Sequence, residues 1–204
     1  MKRVLSFLVV LSLVFTFTAC AENDREFELG TTEGLIYENK FIGIGCELKS
    51  DWYFYTDEQI RELNNFSMNV AGDEFKELAE NADVFYDMFA SASDNQSNIN
   101  VNLEKVSNIK LATLDIEENY EAIYPTVETS LRNMGYSNFK HSVGSVTISD
   151  KDFPTMFISA KFSTFDMYQA LINIKCNGYL ASVTITATTE EDVNSLVDCF
   201  YLLD

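Results

Sequence analysis

Histidine is nearly absent: His141 is the only one in 204 residues. That excludes a histidine-rich metal site and leaves any serine or cysteine nucleophile one imidazole at most to serve as its base. No G-x-S-x-G or reactive-cysteine signature accompanies it, so His141, expected on a strand between Phe139 and Val143, reads as structural. Basic residues are also scarce, 14 against 32 acidic ones, for a formal charge of −18. Such a surface repels phosphate backbones and anionic lipid headgroups alike, so nucleic acid is not a partner. Glycines number eight, and Gly43-Ile44-Gly45 lacks the further glycine and the helix start of a phosphate-binding loop. Four cysteines include no CxxC and no Cys/His pair with metal spacing. No cofactor motif and no catalytic constellation stands out.

Long apolar runs are missing too, with one exception at the start of the chain. Lys2-Arg3 is followed by the almost wholly apolar Val4–Phe17 and then by Thr18-Ala19-Cys20. This is a charged region, an apolar core and a small-residue cleavage site, and its core is shorter than the ~20 residues of a spanning helix. The ending Phe17-Thr18-Ala19-Cys20 resembles a bacterial lipobox, which implies a diacylated Cys20 as the new N-terminus. Residues 1–19 are accordingly expected to be a lipoprotein signal peptide, 20–34 a lipidated start and flexible tether, and 35–204 one globular domain. Cleavage would remove Lys2 and Arg3 but no acid, taking the formal charge from −18 to −20. Membrane attachment would then rest on the acyl chains, at about 0.8 kcal/mol per buried methylene. With Cys20 acylated, Cys46, Cys176 and Cys199 remain, an odd number, so at most one internal disulfide can form; the plainer reading is three small buried side chains.

Downstream, periodicity alternates between strand and helix. Leu35–Tyr37 and Phe41–Leu48 read as strands, the second with Ile42, Ile44, Cys46 and Leu48 on one face and Gly43 and Gly45 where something approaches closely. In Trp52-Tyr53-Phe54-Tyr55, Trp52 and Phe54 should pack inward and the tyrosines outward. Thr56 and Gln59 make a capping box, and a second helix is expected from Asp73 to about Ala90. Ser91–Asn98 reads as a polar loop whose spacing fails the EF-hand pattern, and Ile99, Val101 and Leu103 as a strand face opposite Asn100, Asn102 and Glu104. Asp115 and Glu118 should cap a helix reaching Met134, with a kink or break near Ala122 caused by Pro125 and a C-terminal stop at Gly135. Phe139–Val143 and Val146–Ile148 read as short strands of a hairpin around Gly144.

The last third is the most legible. Residues 155–162, 167–176 and 179–187 read as an antiparallel meander with a two-residue turn at Asn177-Gly178. Thr189 caps a final helix expected to run from 190 to 203. The chain is therefore α+β, a mainly antiparallel sheet covered by helices. The strand pair Tyr37–Leu48 running into Asp51-Trp52 and a capped helix, together with the closing meander and terminal helix, resembles secreted bacterial lipoproteins with a PsbP-like (DcrB-like) α/β/α sandwich. That resemblance covers about Leu35 to Asp204. It implies a small extracytoplasmic accessory or binding subunit, and no functional residue carries over, because fold alone does not transfer function.

The expectation is thus a non-enzymatic module anchored to the membrane through a diacylglyceryl Cys20, with an envelope or transporter protein as partner. Two alternatives remain: a carboxylate-dependent hydrolase of cell-envelope material, sited near the Ser91–Asn98 loop or the Asp51-Trp52 turn, and a cation-binding surface protein. Replacing Cys20 by Ala is expected to release the protein into the medium or leave it unprocessed; membrane fractionation of the two forms reads the outcome, and unchanged association would refute lipidation.

Overall fold

The computed structural model describes residues 27–62, 84–176 and 178–203. The expected signal segment, Cys20 and most of the helix expected from Asp73 lie outside the described residues. Two antiparallel sheets carry the fold. The larger has seven strands in the order β4-β5-β6-β10-β9-β8-β7, formed by β4 (Trp52–Phe54), β5 (Val84–Ala92), β6 (Asn98–Lys105), β7 (Tyr136–Ile148), β8 (Lys151–Phe162), β9 (Phe165–Cys176) and β10 (Tyr179–Ala187). The smaller has four, in the order β1-β2-β3-β11, from β1 (Thr31–Glu33), β2 (Ile36–Asn39), β3 (Ile44–Glu47) and β11 (Phe200–Leu202). Four helices occur among the described residues: α1 (57–62), α2 (Asn108–Thr113), α3 (Ile116–Asn133) and α4 (Glu190–Val197). The chain is α+β, and the described part is mostly strand.

Each sheet face follows from the two-residue period of its strands. Ala170, Ile172 and Ile174 of β9 share the main core with Ala181, Val183, Ile185 and Ala187 of β10, and with Ile99, Val101 and Leu103 of β6. Against this row pack Tyr37, Ile44 and Cys46 of the small sheet and Val193, Leu196 and Val197 of α4. The opposite face, at the β8–β9 end, presents Met156, Ile158, Ala160, Met167 and Leu171 to Tyr120, Ile123, Val127 and Leu131 of α3. The large sheet is therefore sandwiched, with α3 on one side and the small sheet plus α4 on the other.

The meander of the last third has the expected pairing: Tyr179 faces Cys176 across the two-residue turn, and β8 and β9 pair from Thr155↔Ile172 to Phe162↔Phe165. Pro154 is tolerated within β8 because pairing with β9 begins only at Thr155, so on that side the strand is locally an edge. The helix caps also form. Thr56 and Gln59 bond reciprocally at 2.9 and 3.3 Å, and the Asp115 carboxylate accepts from the amides of Glu117 and Glu118.

Several expectations are corrected. Val84–Ala92 is a strand, not the end of a helix. A bulge between Tyr86 and Met88 puts Phe85, Met88, Ala90 and Ala92 on one face, so a three-residue step imitates helical spacing. The polar loop shrinks to residues 93–97, since Ser91 and Asn98 pair with each other. The hairpin around Gly144 is absent. β7 runs unbroken and turns at residues 149–150, while Gly144 makes room for Phe157, whose ring a Cβ would meet at 3.4 Å. α3 is continuous through Pro125, whose position is exposed, so the Glu121 carbonyl left without its helical partner faces water. Residues 108–113 form α2, capped by Ser107, where no element was expected. The expected tether is folded from residue 27 on: the Phe27 ring packs on Phe41, Phe85 and Tyr179, and β1 pairs with β2.

The final helix stops at Val197. Phe200–Leu202 instead adds β11 to the small sheet, with Tyr201 opposite Gly45. Helix and strand feed the same core, so Leu196, Val197 and Phe200 looked like one helical stripe. Gly45 lies under the Tyr201 ring, and a Cβ there would sit 2.4 Å from Tyr201 Cζ. Gly43 serves differently: it closes a turn at φ +73 with nothing nearby. Gly45→Ala is expected to cost about 1–3 kcal/mol of overpacking. In a Tyr201→Ala background most of that cost should vanish, which chemical denaturation of the four forms measures; strict additivity would contradict the β3–β11 pairing.

Candidate functional site

A cleft of about 310 Å³ opens between the first turns of α4 and the β7–β8–β9 end of the large sheet. Its floor follows from register. Lys140 of β7, Ser159 of β8 and Tyr168 of β9 form one cross-strand row, and Ser142, Phe157 and Ala170 the next. The half-buried rings of Phe157 and Tyr168 are thus diagonal neighbours on the face that also carries the main core. The wall is set by the Thr189 cap, whose hydroxyl accepts from the Asp192 amide at 3.1 Å and fixes where α4 begins. Glu190, Val193 and Asn194 then turn toward the cleft, one helical turn apart. The cleft offers two aromatic faces, the hydroxyls of Ser142 and Ser159, the Asn194 amide, and one charge of each sign, Lys140 and Glu190. That arrangement can stack a flat or ring-shaped ligand and bond its polar rim.

The two places expected to hold carboxylate chemistry are neighbours. Ser93 N donates to Asp51 O at 2.7 Å, and Tyr53 Oη bonds Asn95 Oδ1 at 2.8 Å across the loop tip. As expected, Trp52 is buried while Tyr53 is exposed and stacks on Tyr55 at 5.5 Å. The carboxylate with a raised pKa lies elsewhere. Asp87, at the β5 bulge, accepts from Gly30 N at 2.6 Å, from Asn39 Nδ2 at 2.6 Å and from the Tyr37 hydroxyl. Burial pushes its pKa up, and the three donors pull it back only in part. Wedged between the sheets and saturated with donors, it is a tie between them and not an acid facing a substrate.

His141 stacks on Tyr124 at 3.6 Å, and its Nε2 lies 3.2 Å from Glu121 Oε2. Both partners belong to α3, so the ring is held on the helix-covered face. Cys46, Cys176 and Cys199 are free thiols, each with its pKa raised chiefly by burial, Cys176 to about 12. At neutral pH they stay protonated and unreactive. Among the described residues no group of three or more His, Cys, Asp or Glu side chains could hold a metal ion, and no helix is long and apolar enough to cross a membrane.

Neither the cleft nor one further feature was read from the sequence. Asn98, Asn100, Asn102 and Glu104 of β6 alternate with core residues, as for a solvated face, yet all are at most 5 % exposed. They line up with Thr186, Thr184 and Ser182 of β10, and these with Gln169 and Asn173 of β9. Some of the row is satisfied internally: Gln169 Nε2 donates to Thr186 Oγ1 at 3.0 Å, Ser182 Oγ to Asn173 Oδ1 at 2.8 Å, and Asn102 Nδ2 to Asn100 Oδ1 at 3.0 Å. Asn98 Oδ1, Asn100 Nδ2 and Thr184 Oγ1 have no partner among the described residues. The signal available in the sequence was Asn-x-Asn-x-Asn-x-Glu, a run of amides that strands ordinarily avoid.

No family model matches the chain, and no curated protein matches it. Among solved structures, it is similar to a protein from Bacteroides thetaiotaomicron at 10% identity and TM-score 0.45, with 85% of this chain and 50% of that one covered. The chain thus spans about half the length of that protein. It is also similar to LpqN of Mycobacterium tuberculosis, described as involved in cell envelope biogenesis, at 11% identity and TM-score 0.41, covering 79% of this chain and 83% of LpqN. Likenesses of this degree establish neither a family nor a function.

The Asp87 tie has a pH signature. Its carboxyl binds a proton more tightly folded than unfolded, so the stability it contributes is fully present below the ordinary carboxylate pKa, about 3.9, and is lost as pH rises through the higher folded value. The stability difference between wild type and Asp87→Asn is therefore expected to shift in favour of wild type as pH falls from neutral toward 4. Urea melts across that range read it, and a shift of opposite sign would contradict a raised pKa.

Proposed function

We propose that this chain is an extracytoplasmic binding module of the bacterial cell envelope, held at the membrane by a diacylglyceryl Cys20, and that the α4–β7–β8–β9 cleft takes its ligand. The single observation that carries the reading is the lining of that cleft: two aromatic rings on neighbouring strands with neutral hydrogen-bonding groups and one charge of each sign around them. Hydroxyl-rich ring compounds suit such a lining, since a sugar ring presents C–H bonds to an aromatic face and hydroxyls to serine and amide partners. At about 310 Å³ the cleft is at the small end of ligand sites, roughly 300–1,000 Å³, so it fits one or two rings of a longer envelope glycan. The lipobox-like start and the PsbP-like resemblance support the same reading, because both belong to exported accessory and binding proteins.

A hydrolytic role finds less support. Asp87, with its raised pKa, is enclosed by three donors between the sheets, and the cleft places one carboxylate, Glu190, near Lys140 instead of near a second acid.

The test is titration of the protein with soluble fragments of envelope glycan, followed by nuclear magnetic resonance. Shifts are expected at Ser142, Ser159 and Asn194. Tyr168→Ala should weaken binding about tenfold or more, the loss of one stacking face. Shifts confined to other surfaces, or glycan turnover by the protein, would overturn the proposal.

A further inference from the structure

Of the four strands at sheet edges, three are short: β1, β4 and β11 have three residues each, and β1 ends in Glu33. β7 is the exception, with 13 residues closing the large sheet, and its outer side pairs with no strand among the described residues. Long open edges invite a second strand, and proteins ordinarily shorten, charge or cover them. Here a bulge lies between Ser137 and Lys140, while Lys140 to Ile148 pairs regularly with β8 and leaves nine straight residues at the edge.

This long edge carries no acid of its own. Residues 135–149 contain no Asp or Glu in a sequence with 32 of them, and include Lys140 and His141. Two copies carrying a formal charge of −18 each repel on average, and this strand adds no acid to that repulsion, although the Glu121 carboxylate of α3 lies 3.2 Å from His141 Nε2. We infer that β7 is the seam of a homodimer, joining the large sheets of two copies antiparallel through a two-fold axis at Gly144. In that register Val143 faces the partner copy's Ser145, Ser142 its Val146, His141 its Thr147, and Lys140 its Ile148. No charge opposes a like charge, and each Lys140 comes diagonally toward the partner copy's Asp150, which matches charge at both ends of the seam.

The seam has a consequence for the cleft. A two-fold axis normal to the sheet keeps the same faces on the same side, so both clefts open in one direction. Lys140 and Ser142, which line each cleft, lie on the seam strand itself. A long polymer crossing the seam would meet two equivalent sites in succession. The dimer stands whether or not the cleft binds glycan, because it rests on the edge alone.

Ser145 is exposed and sits one residue from the axis, so its two copies are diagonal neighbours on one face. Sedimentation equilibrium of the full-length protein in density-matched detergent should show a reversible monomer–dimer equilibrium. Added sodium chloride should tighten it, by screening the repulsion of two acidic copies. Ser145→Asp and Ser145→Lys should each weaken association about tenfold, and an equimolar mixture of the two should recover it, which misfolding of either variant could not do. A wild-type monomer at every concentration, variants that dimerise like wild type, or a mixture that stays monomeric would each overturn the seam.

Discussion

One buried carboxylate decides how the two sheets sit on each other. Asp87 can reach Gly30, Tyr37 and Asn39 only because the β5 bulge turns its side chain out of the strand's alternation and toward the small sheet. Those three donors come from the approach to β1 and from both ends of β2. A single residue thereby fixes the position of the small sheet over the main core. Removing it would strand an amide, a phenol and a carboxamide in a dry interface, each at about 1–3 kcal/mol. β3 and β11 follow from this docking, since β3 pairs with β2 and β11 with β3.

From the same frame comes the cleft. With the small sheet placed, β11 is tied to β3 and α4 lies across β9 and β10, leaving the β7–β8 end of that face uncovered by any other described element. Phe157 and Tyr168 are therefore half-buried instead of sealed. On the reverse face α3 covers that end completely enough that Tyr120 is fully buried, its hydroxyl donating to the carbonyls of Pro154 at 3.1 Å and Leu171 at 2.9 Å.

What was legible in the sequence was what neighbouring residues decide among themselves. The caps at Thr56, Asp115 and Thr189, the hairpin pairing of Cys176 with Tyr179 and the alternation in β6, β9 and β10 are local signals, and each formed as read. The misreadings share a different origin. In β5 a bulge dictated by Asp87's distant partners broke the two-residue period; at the C-terminus Phe200 belonged to a strand whose partner lies some 150 residues upstream. Gly144 punctuates nothing, because its reason is the ring of Phe157 on the next strand. The cleft escaped notice for the same reason: its rows join residues from three strands and a helix, and only register assembles them. The burial of the β6 amides was not legible because alternation reports which residues share a face, not what covers that face.

The packing of Phe27 would bound the length of a lipid leash at Cys20. Its ring stacks on Tyr179 at 4.8 Å, so the chain is already tied to the folded body at that residue. Only six residues separate it from Cys20, and seven extended steps reach at most about 25 Å. On a lipid-anchored chain an acidic body would be confined within a few Debye lengths, each about 8 Å at physiological salt, of headgroups that repel it. Held that close, it would keep a restricted set of orientations and would reach for its ligand within a shell of envelope roughly one membrane thickness deep.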